Sequence, residues 1–261
     1  MPNDRTFICL GTGTSVGVPM IGCECPVCTS ANPRNQRTRC SVLVQLPGGN
    51  LLIDTAPELR LQLVREKIPL AHAVLYTHYH ADHLFGLDDV RLFPKRLGGP
   101  LPIYCTDEVE EVIRQAFSYA FHPATGDLPA GVLPKLEFHR IDTKSFEILG
   151  QKVVPIPLVH ARFNVLGFRI GNVAYCTDVS EIPAASWPLL ENLDVLVLDA
   201  LWLRGPHPSH FNLAQALDVA ARVKPKQTYL THMSHEMDYD SLPAALPPGV
   251  AMAFDGLRFA F

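Results

Sequence analysis

The chain has 261 residues, with 22 lysines and arginines against 26 aspartates and glutamates, and a formal net charge of −4. Apolar residues make up 48% and charged residues only 18%, which excludes a disordered chain and is enough for a large core. The acidic balance excludes a long basic nucleic-acid groove, and no run reaches the roughly 18 uncharged apolar residues of a membrane helix.

Residues Met1 to Phe7 carry Asp4 and Arg5 and no apolar signal core, so a cytoplasmic location is expected. Thr6–Leu10 reads as the first strand. The Gly11-Thr12-Gly13-Thr14-Ser15-Val16-Gly17 stretch after it resembles a dinucleotide fingerprint and fails it. Val16 stands where glycine is needed, and Val18-Pro19 does not open a helix. A tight loop at the rim of a site is expected instead. Ser41–Leu46 and Leu51–Ile53 read as strands joined by a hairpin turn at Pro47-Gly48-Gly49-Asn50. Thr55-x-x-Glu58, with Pro57 in the first turn, predicts a capping box ahead of Leu59 and Leu63.

Strands follow at Ala73–Tyr76 and Leu101–Tyr104, and Val109, Val112, Ile113, Ala116, Phe117 and Ala120 predict a helix over about 107–121. Further strands are predicted at Leu136–His139, Val153–Ile156, Val165–Ile170, Val173–Tyr175 and Val195–Leu198, with a turn at Gly171-Asn172. Asn212-x-x-Gln215 caps a helix carrying Leu213, Ala216, Leu217 and Ala220 on one face, before strands at Thr228–Leu230 and Ala251–Phe254. The 23 prolines are scattered through loops and no repeat or linker breaks the chain, so one domain over 1–261 is expected. Many strands with few helices point to two packed sheets with helices outside.

Chemistry concentrates at Thr77-His78-Tyr79-His80-Ala81-Asp82-His83, directly after a strand. Three imidazoles and a carboxylate packed this closely suit Zn, Mn or Fe, and a loop leaving a strand can aim alternate side chains at two ions. A second cluster, Cys23-Glu24-Cys25-Pro26-Val27-Cys28, gives three thiols suited to tetrahedral zinc, with a fourth ligand still to be found. A disulfide plus one free thiol is the competing reading, although seven cysteines, an odd number, disfavour a disulfide framework. Cys9, Cys40, Cys105 and Cys176 lie in or beside strands and are expected to be buried apolar residues.

The His-x-His-x-Asp-His motif resembles that of the metallo-β-lactamase superfamily of hydrolases. The resemblance implies an α/β fold, the four-layer αββα sandwich, with a binuclear metal site at one sheet edge. His160, Asp178 and His232 match, in order and at strand ends, the later ligands of that family. It implies that His78, His80 and His160 hold one metal, that Asp82, His83 and His232 hold the other, and that Asp178 bridges them. Two ions about 3.5–4 Å apart can share a hydroxide and clamp the oxygens of an in-line phosphoryl displacement. Asp54 matches a position behind the site that orients a ligand or the motif backbone, with a helix-start carboxylate as the alternative.

The cysteine cluster narrows the resemblance to the PhnP-like cyclic-phosphate phosphodiesterases, whose pattern adds a histidine three residues after the last active-site histidine. Here that is His235, which would complete a structural zinc site with Cys23, Cys25 and Cys28 in a loop at about 19–40. In related phosphodiesterases a histidine ahead of a capped helix assists the leaving oxygen. His210 holds that place, with His207 as the competing candidate. Asp82 and His210 are thus the residues assigned to catalysis.

These readings imply a metallohydrolase acting on a small phosphodiester, with two divalent ions (Zn, Mn or Fe) and one structural Zn. Stable nucleic-acid binding is not expected, and a homodimer follows from the resemblance alone. The competing functions are a tRNA 3′-processing nuclease, for which no basic arm is visible, and a non-hydrolytic protein like the PqqB factor, whose motif is degraded. Asp88-Asp89-Val90-Arg91 with the loop to Pro100, and the Phe121–Pro134 segment, are expected to shape the rim. His72, His122 and His139 are left as ordinary histidines.

Overall fold

A computed structural model describes residues 5–122, 128–129 and 131–261. In chain order the strands are β1 (Thr6–Gly11), β2 (Ser41–Leu46), β3 (Gly49–Ile53), β4 (Ala73–Leu75), β5 (Leu101–Cys105), β6 (Leu136–Arg140) and β7 (Phe146–Ile148). They continue as β8 (Gln151–His160), β9 (Phe163–Ile170), β10 (Val173–Cys176), β11 (Val195–Asp199), β12 (Gln227–Thr231), β13 (Val250–Met252) and β14 (Arg258–Ala260). Five α-helices are described: α1 (Leu59–Arg65), α2 (Ala81–Leu84), α3 (Phe93–Leu97), α4 (Asp107–Ala116) and α5 (Leu213–Val223).

The strands form two seven-stranded sheets, ordered β14-β1-β2-β3-β4-β5-β6 and β13-β12-β11-β10-β9-β8-β7. Each has the same grammar. Three antiparallel pairings run from one edge (β14 to β3 in the first, β7 to β10 in the second) and three parallel pairings continue to the other. The turn foreseen at Gly171-Asn172 joins β9 to β10, and that foreseen at 47–50 is shorter: Pro47-Gly48 joins β2 to β3, because Gly49 and Asn50 already pair with Leu46 and Gln45.

Alternation along the strands assigns the layers, because successive side chains leave opposite faces. Phe7, Cys9, Val42 and Val44 point into a core between the sheets, where they meet Phe168, Ile170, Tyr175 and Val197. Their neighbours Ile8, Leu10 and Leu43 point outward, onto Leu59 and Leu63 of α1 and Val109 and Ile113 of α4. On the far side Leu196 and Leu198 pack under Ala216 and Val219 of α5. Helix, sheet, sheet, helix is therefore the order of layers, the expected αββα sandwich.

Two helix expectations need correction. Thr55 does not cap α1: its hydroxyl pairs with the Tyr76 hydroxyl at 2.7 Å and donates to the Leu84 carbonyl at 2.9 Å. Glu58 takes the cap position without a side-chain cap bond and instead pairs with Arg39. The helix foreseen over about 107–121 ends at Ala116, because Phe117 turns to φ −111°, ψ 35°, and a 3-10 turn, Ser118–Phe121, follows. The third expectation holds as written. Asn212 accepts from the Gln215 amide at 2.9 Å, and Gln215 accepts from the Asn212 amide at 3.0 Å.

Candidate metal centre

The sandwich gathers chemistry-bearing residues at strand ends from both sheets. Asp54 follows β3, the 77–83 motif follows β4, and His160 ends β8. Asp178 lies two residues beyond β10, Asp199 ends β11, and His232 follows β12. Asp54, Asp178 and His232 have left-handed backbones, with φ of 62°, 52° and 56°. Such a conformation costs a non-glycine residue on the order of 1 kcal/mol or more and persists where surrounding contacts impose it. Here it turns each side chain sharply off its strand and into the shared seam.

The donor atoms fall into two groups with one common member. Those of His78, His80, His160 and Asp178 lie within 4.8 Å of one another, and so do those of Asp82, His83, Asp178 and His232. His160 Nε2 is 3.3 Å from His80 Nδ1. Asp178 faces both groups: Oδ1 is 3.1 Å from His83 Nε2, and Oδ2 is 3.5, 3.8 and 3.9 Å from Nε2 of His232, His160 and His78. Asp82 Oδ2 faces His83 and His232 at 3.4 and 3.5 Å. All seven are buried except His80, which is half-buried.

The opposite nitrogens are tied down behind this set. Asp54 accepts from the Thr77 amide at 2.9 Å, from the Thr77 hydroxyl at 2.8 Å and from His83 Nδ1 at 2.8 Å, so it holds both a donor ring and the motif backbone. His160 Nδ1 donates to the Ser209 carbonyl at 2.7 Å. His210 Nδ1 donates to Asp199 Oδ2 at 2.8 Å, and its Nε2 lies 4.0 Å from Asp178. Asp199 was not foreseen; its only sequence signal is a carboxylate closing an apolar strand run, the pattern shared by Asp54. Donors held this way from behind are the usual support of metal-binding imidazoles.

The electrostatics are those of packed donors. Burial works against the Asp178 carboxylate, yet His232, His83 and His78 hold its pKa well below the usual range. Burial and the neighbouring His83 push His78 far down. His210 moves the other way: burial disfavours its charge, but Asp199, Asp178 and Asp82 raise it to about 9. Nε2 of His78, His83 and His232 and Oδ2 of Asp82 are buried without a hydrogen-bond partner. Orphaned donors and acceptors at one point are costly unless something else satisfies them, and a divalent cation fits an imidazole and carboxylate set.

A separate group lies where the 19–40 loop meets the segment after β12. The Sγ atoms of Cys23, Cys25 and Cys28 lie 3.2, 3.7 and 3.5 Å from His235 Nδ1, and all three thiols are free. Backbone amides point at the sulfurs, from Met20 to Cys28 and from Cys28 to Cys25, each at 3.4 Å. Cys9, Cys40, Cys105 and Cys176 are fully buried elsewhere.

The Gly11–Gly17 loop lies beside both groups. Thr14 donates to the Met233 carbonyl at 3.2 Å, and Met233 donates to the Thr12 carbonyl at 2.9 Å, next to His232. Gly13 passes so near the 37–38 backbone that a Cβ there would lie 2.7 Å from the Arg37 carbonyl. His207 stays outside the donor set, its ring 5.1 Å from that of His210. His72 accepts from the Asn50 amide at 3.0 Å and His139 stacks on Tyr104, both away from the seam. The 88–100 stretch lines a cavity of about 390 Å³ with Arg60, Leu63 and Val64 of α1. The Phe121–Pro134 stretch falls partly outside the described residues.

Residues 49–233 match the family model described as the beta-lactamase superfamily domain. The chain belongs to that superfamily. Its fold and its His/Asp groups are those of a metallohydrolase. The chain is 42% identical to a crystal structure described as a new diphosphatase from the PhnP family, covering 98% of this chain and 97% of that one at a TM-score of 0.91. Zn-bound PqqB from Methylobacterium extorquens superposes at a TM-score of 0.77 with 19% identity over 98% of this chain and all of that one, a likeness of fold. An octanoyltransferase of Porphyromonas gingivalis is 35% identical over 253 residues, 96% of this chain and 50% of that protein. This superfamily member thus spans half the length of that relative. No described helix is long and apolar enough to cross a membrane.

Proposed function

We propose that this chain is a metal-dependent phosphodiesterase that hydrolyses small cyclic phosphates, of the ribose 1,2-cyclic phosphate or 2′,3′-cyclic nucleotide type. The observation that carries the reading is the pair of donor groups sharing Asp178, with His210 facing the shared carboxylate at 4.0 Å. His78, His80 and His160 would hold one divalent ion, Asp82, His83 and His232 the other, and Asp178 both; Cys23, Cys25, Cys28 and His235 would hold a structural zinc. When bound, the paired ions supply Lewis acidity and a water of lowered pKa.

The chain's own residues do the remaining work. Asp54 fixes His83 and the Thr77 backbone, and the Ser209 carbonyl fixes His160. Asp199 takes the Nδ1 proton of His210 as a hydrogen bond, which turns Nε2 toward the seam. In hydrolysis a P–O bond forms from water, which releases a proton to solvent, the P–O bond to the sugar breaks, and the departing oxygen takes a proton from His210 Nε2, which regains one from solvent. Asp82, facing His83 and His232, is assigned to the same chemistry.

A second reading, cleavage of a diphosphate, is favoured by the 42% identical PhnP-family diphosphatase, since both reactions attack a disubstituted phosphate. The PqqB likeness supports a non-hydrolytic alternative, and the complete donor set argues against it. A tRNA 3′-processing role is disfavoured by the acidic net charge of −4. A single domain over 1–261, with its zinc loop at about 19–40, a cytoplasmic location and a homodimer belong to the same proposal. The test is an assay of the metal-loaded chain on bis(p-nitrophenyl) phosphate, cyclic phosphates and nucleoside diphosphates. Turnover of the cyclic phosphates is expected; turnover of diphosphates alone selects the second reading, and no turnover at full metal occupancy overturns both.

A further inference from the structure

Beside the donor groups lies a cavity of about 320 Å³, lined by residues 14–17 and Met20, by Leu201, Trp202 and His207, and by the 234–236 segment. His235 and Met20 on its wall belong to the thiol group, while Val16, Leu201, Trp202 and Glu236 serve neither group. It is joined to the seam by a chain of rings: His160 meets His210 at 4.6 Å between centroids, His210 meets His207 at 5.1 Å, and His207 meets Trp202 edge-on at 4.6 Å. A molecule reacting beside His210 can extend along His207 toward Trp202.

The lining chemistry says which part of a substrate belongs there. Among the described lining residues no lysine or arginine occurs, and the charged one is Glu236, so the cavity does not suit a phosphate. Trp202 and His207 are partly exposed, and Val16 in the same lining is 50% exposed, which leaves apolar surface open to a ligand. The indole N–H is already engaged by the Gly205 carbonyl at 3.2 Å, so Trp202 offers its ring and not a hydrogen bond. His207 Nδ1 accepts from the Ser209 amide at 3.3 Å, which places the proton of the neutral ring on Nε2 as a donor. Flat apolar surface with one donor and one carboxylate acceptor fits a heteroaromatic ring bearing an amine, and a volume of about 320 Å³ has room for a base and part of its sugar.

We propose that this cavity is the subsite for the base of a nucleotide substrate, with Trp202 as its stacking residue and His207 as a polar contact. The proposal rests on the seam being the phosphoryl-transfer site, and it narrows the substrate class there to adenine-like nucleotides over base-free sugar phosphates. Trp202 and His207 act on binding of the organic group and take no part in bond making.

The experiment separates the two claims. Using the full, metal-loaded chain, titration calorimetry measures AMP and ribose 5-phosphate, and initial rates are measured with 2′,3′-cyclic AMP and ribose 1,2-cyclic phosphate. Wild type should bind AMP at least about tenfold more tightly than ribose 5-phosphate, the scale of one base–aromatic stack. Trp202→Ala should remove that preference and leave ribose 5-phosphate within about twofold, while Trp202→Phe keeps most of it. His207→Ala should reduce the preference in part. For 2′,3′-cyclic AMP, Trp202→Ala should raise KM with kcat little changed. Equal binding of AMP and ribose 5-phosphate by wild type, no binding of either, or equal weakening of both by Trp202→Ala overturns the subsite. Loss of the AMP preference in Trp202→Phe as well, with His207→Ala unchanged, also counts against it. If AMP binds selectively through Trp202 and neither cyclic phosphate turns over, the subsite stands and the proposed reaction falls.

Discussion

The thiol group and the His/Asp group meet on one short stretch, since His235 follows His232 by three residues, yet they are built on opposite principles. The thiol group takes one donor atom from each of four residues, three of them in a loop, and its members are only partly buried apart from Cys28. Three thiols and an imidazole would leave a tetrahedral ion no vacant position, as the proposed structural zinc requires. The His/Asp group has seven members, on strand ends of both sheets and on α2, with three of the supporting or donor residues on left-handed backbone and carboxylates at its centre. Under the proposed function such a set would leave room for a substrate oxygen. The difference teaches that a loop suffices to close a clip, whereas an open site has to be held from behind.

The largest effect that would sharpen this contrast is at Asp178. Asp178→Ala should cost about 10³-fold or more in kcat/KM, the scale of a lost electrostatic element, while elemental analysis still finds the one thiol-bound zinc. Retention of near-full activity would break the assignment. His210→Ala should lower kcat by about 10²-fold as a lost acid, with metal content unchanged in the same analysis. Asp54→Asn, which leaves the donors in place and weakens their support, should reduce metal affinity or activity by about tenfold, read by chelator competition. Cys25→Ser should act in the opposite sense, removing one zinc equivalent and lowering Tm while the seam keeps its ions. Smallest is Asn212→Ala, which removes the α5 cap bond to Gln215 and should cost about 1 kcal/mol in urea unfolding without changing metal content.

Both sheets were legible because their strands are apolar runs bounded by turn residues, and β2 is observed with the bounds read from its sequence. The two strands that were not foreseen, β7 and β14, are edge strands of three residues each, too short to show a period. Thr55 misled because a capping box is a local pattern, and the hydroxyl found better partners in Tyr76 and Leu84, brought near only by the fold. The placement of His78 to His83 could be read because their spacing is local. Asp199 could not, since its partner His210 is eleven residues away and the bond between them depends on how the 200–210 loop returns to β11. The Trp202–His207 pairing was hidden for the same reason.

The seam draws His78 and His80 from the loop after β4, Asp82 and His83 from α2, and His160, Asp178 and His232 from the second sheet. An ion bound there as proposed would be a rivet between halves of matching grammar, and the unfolded chain offers no such set of donors. Ion occupancy and sheet docking would then be one linked equilibrium, in which stability rises with the logarithm of free ion concentration above Kd. The lifetime of the fold in a cell would then follow that cell's supply of divalent metal.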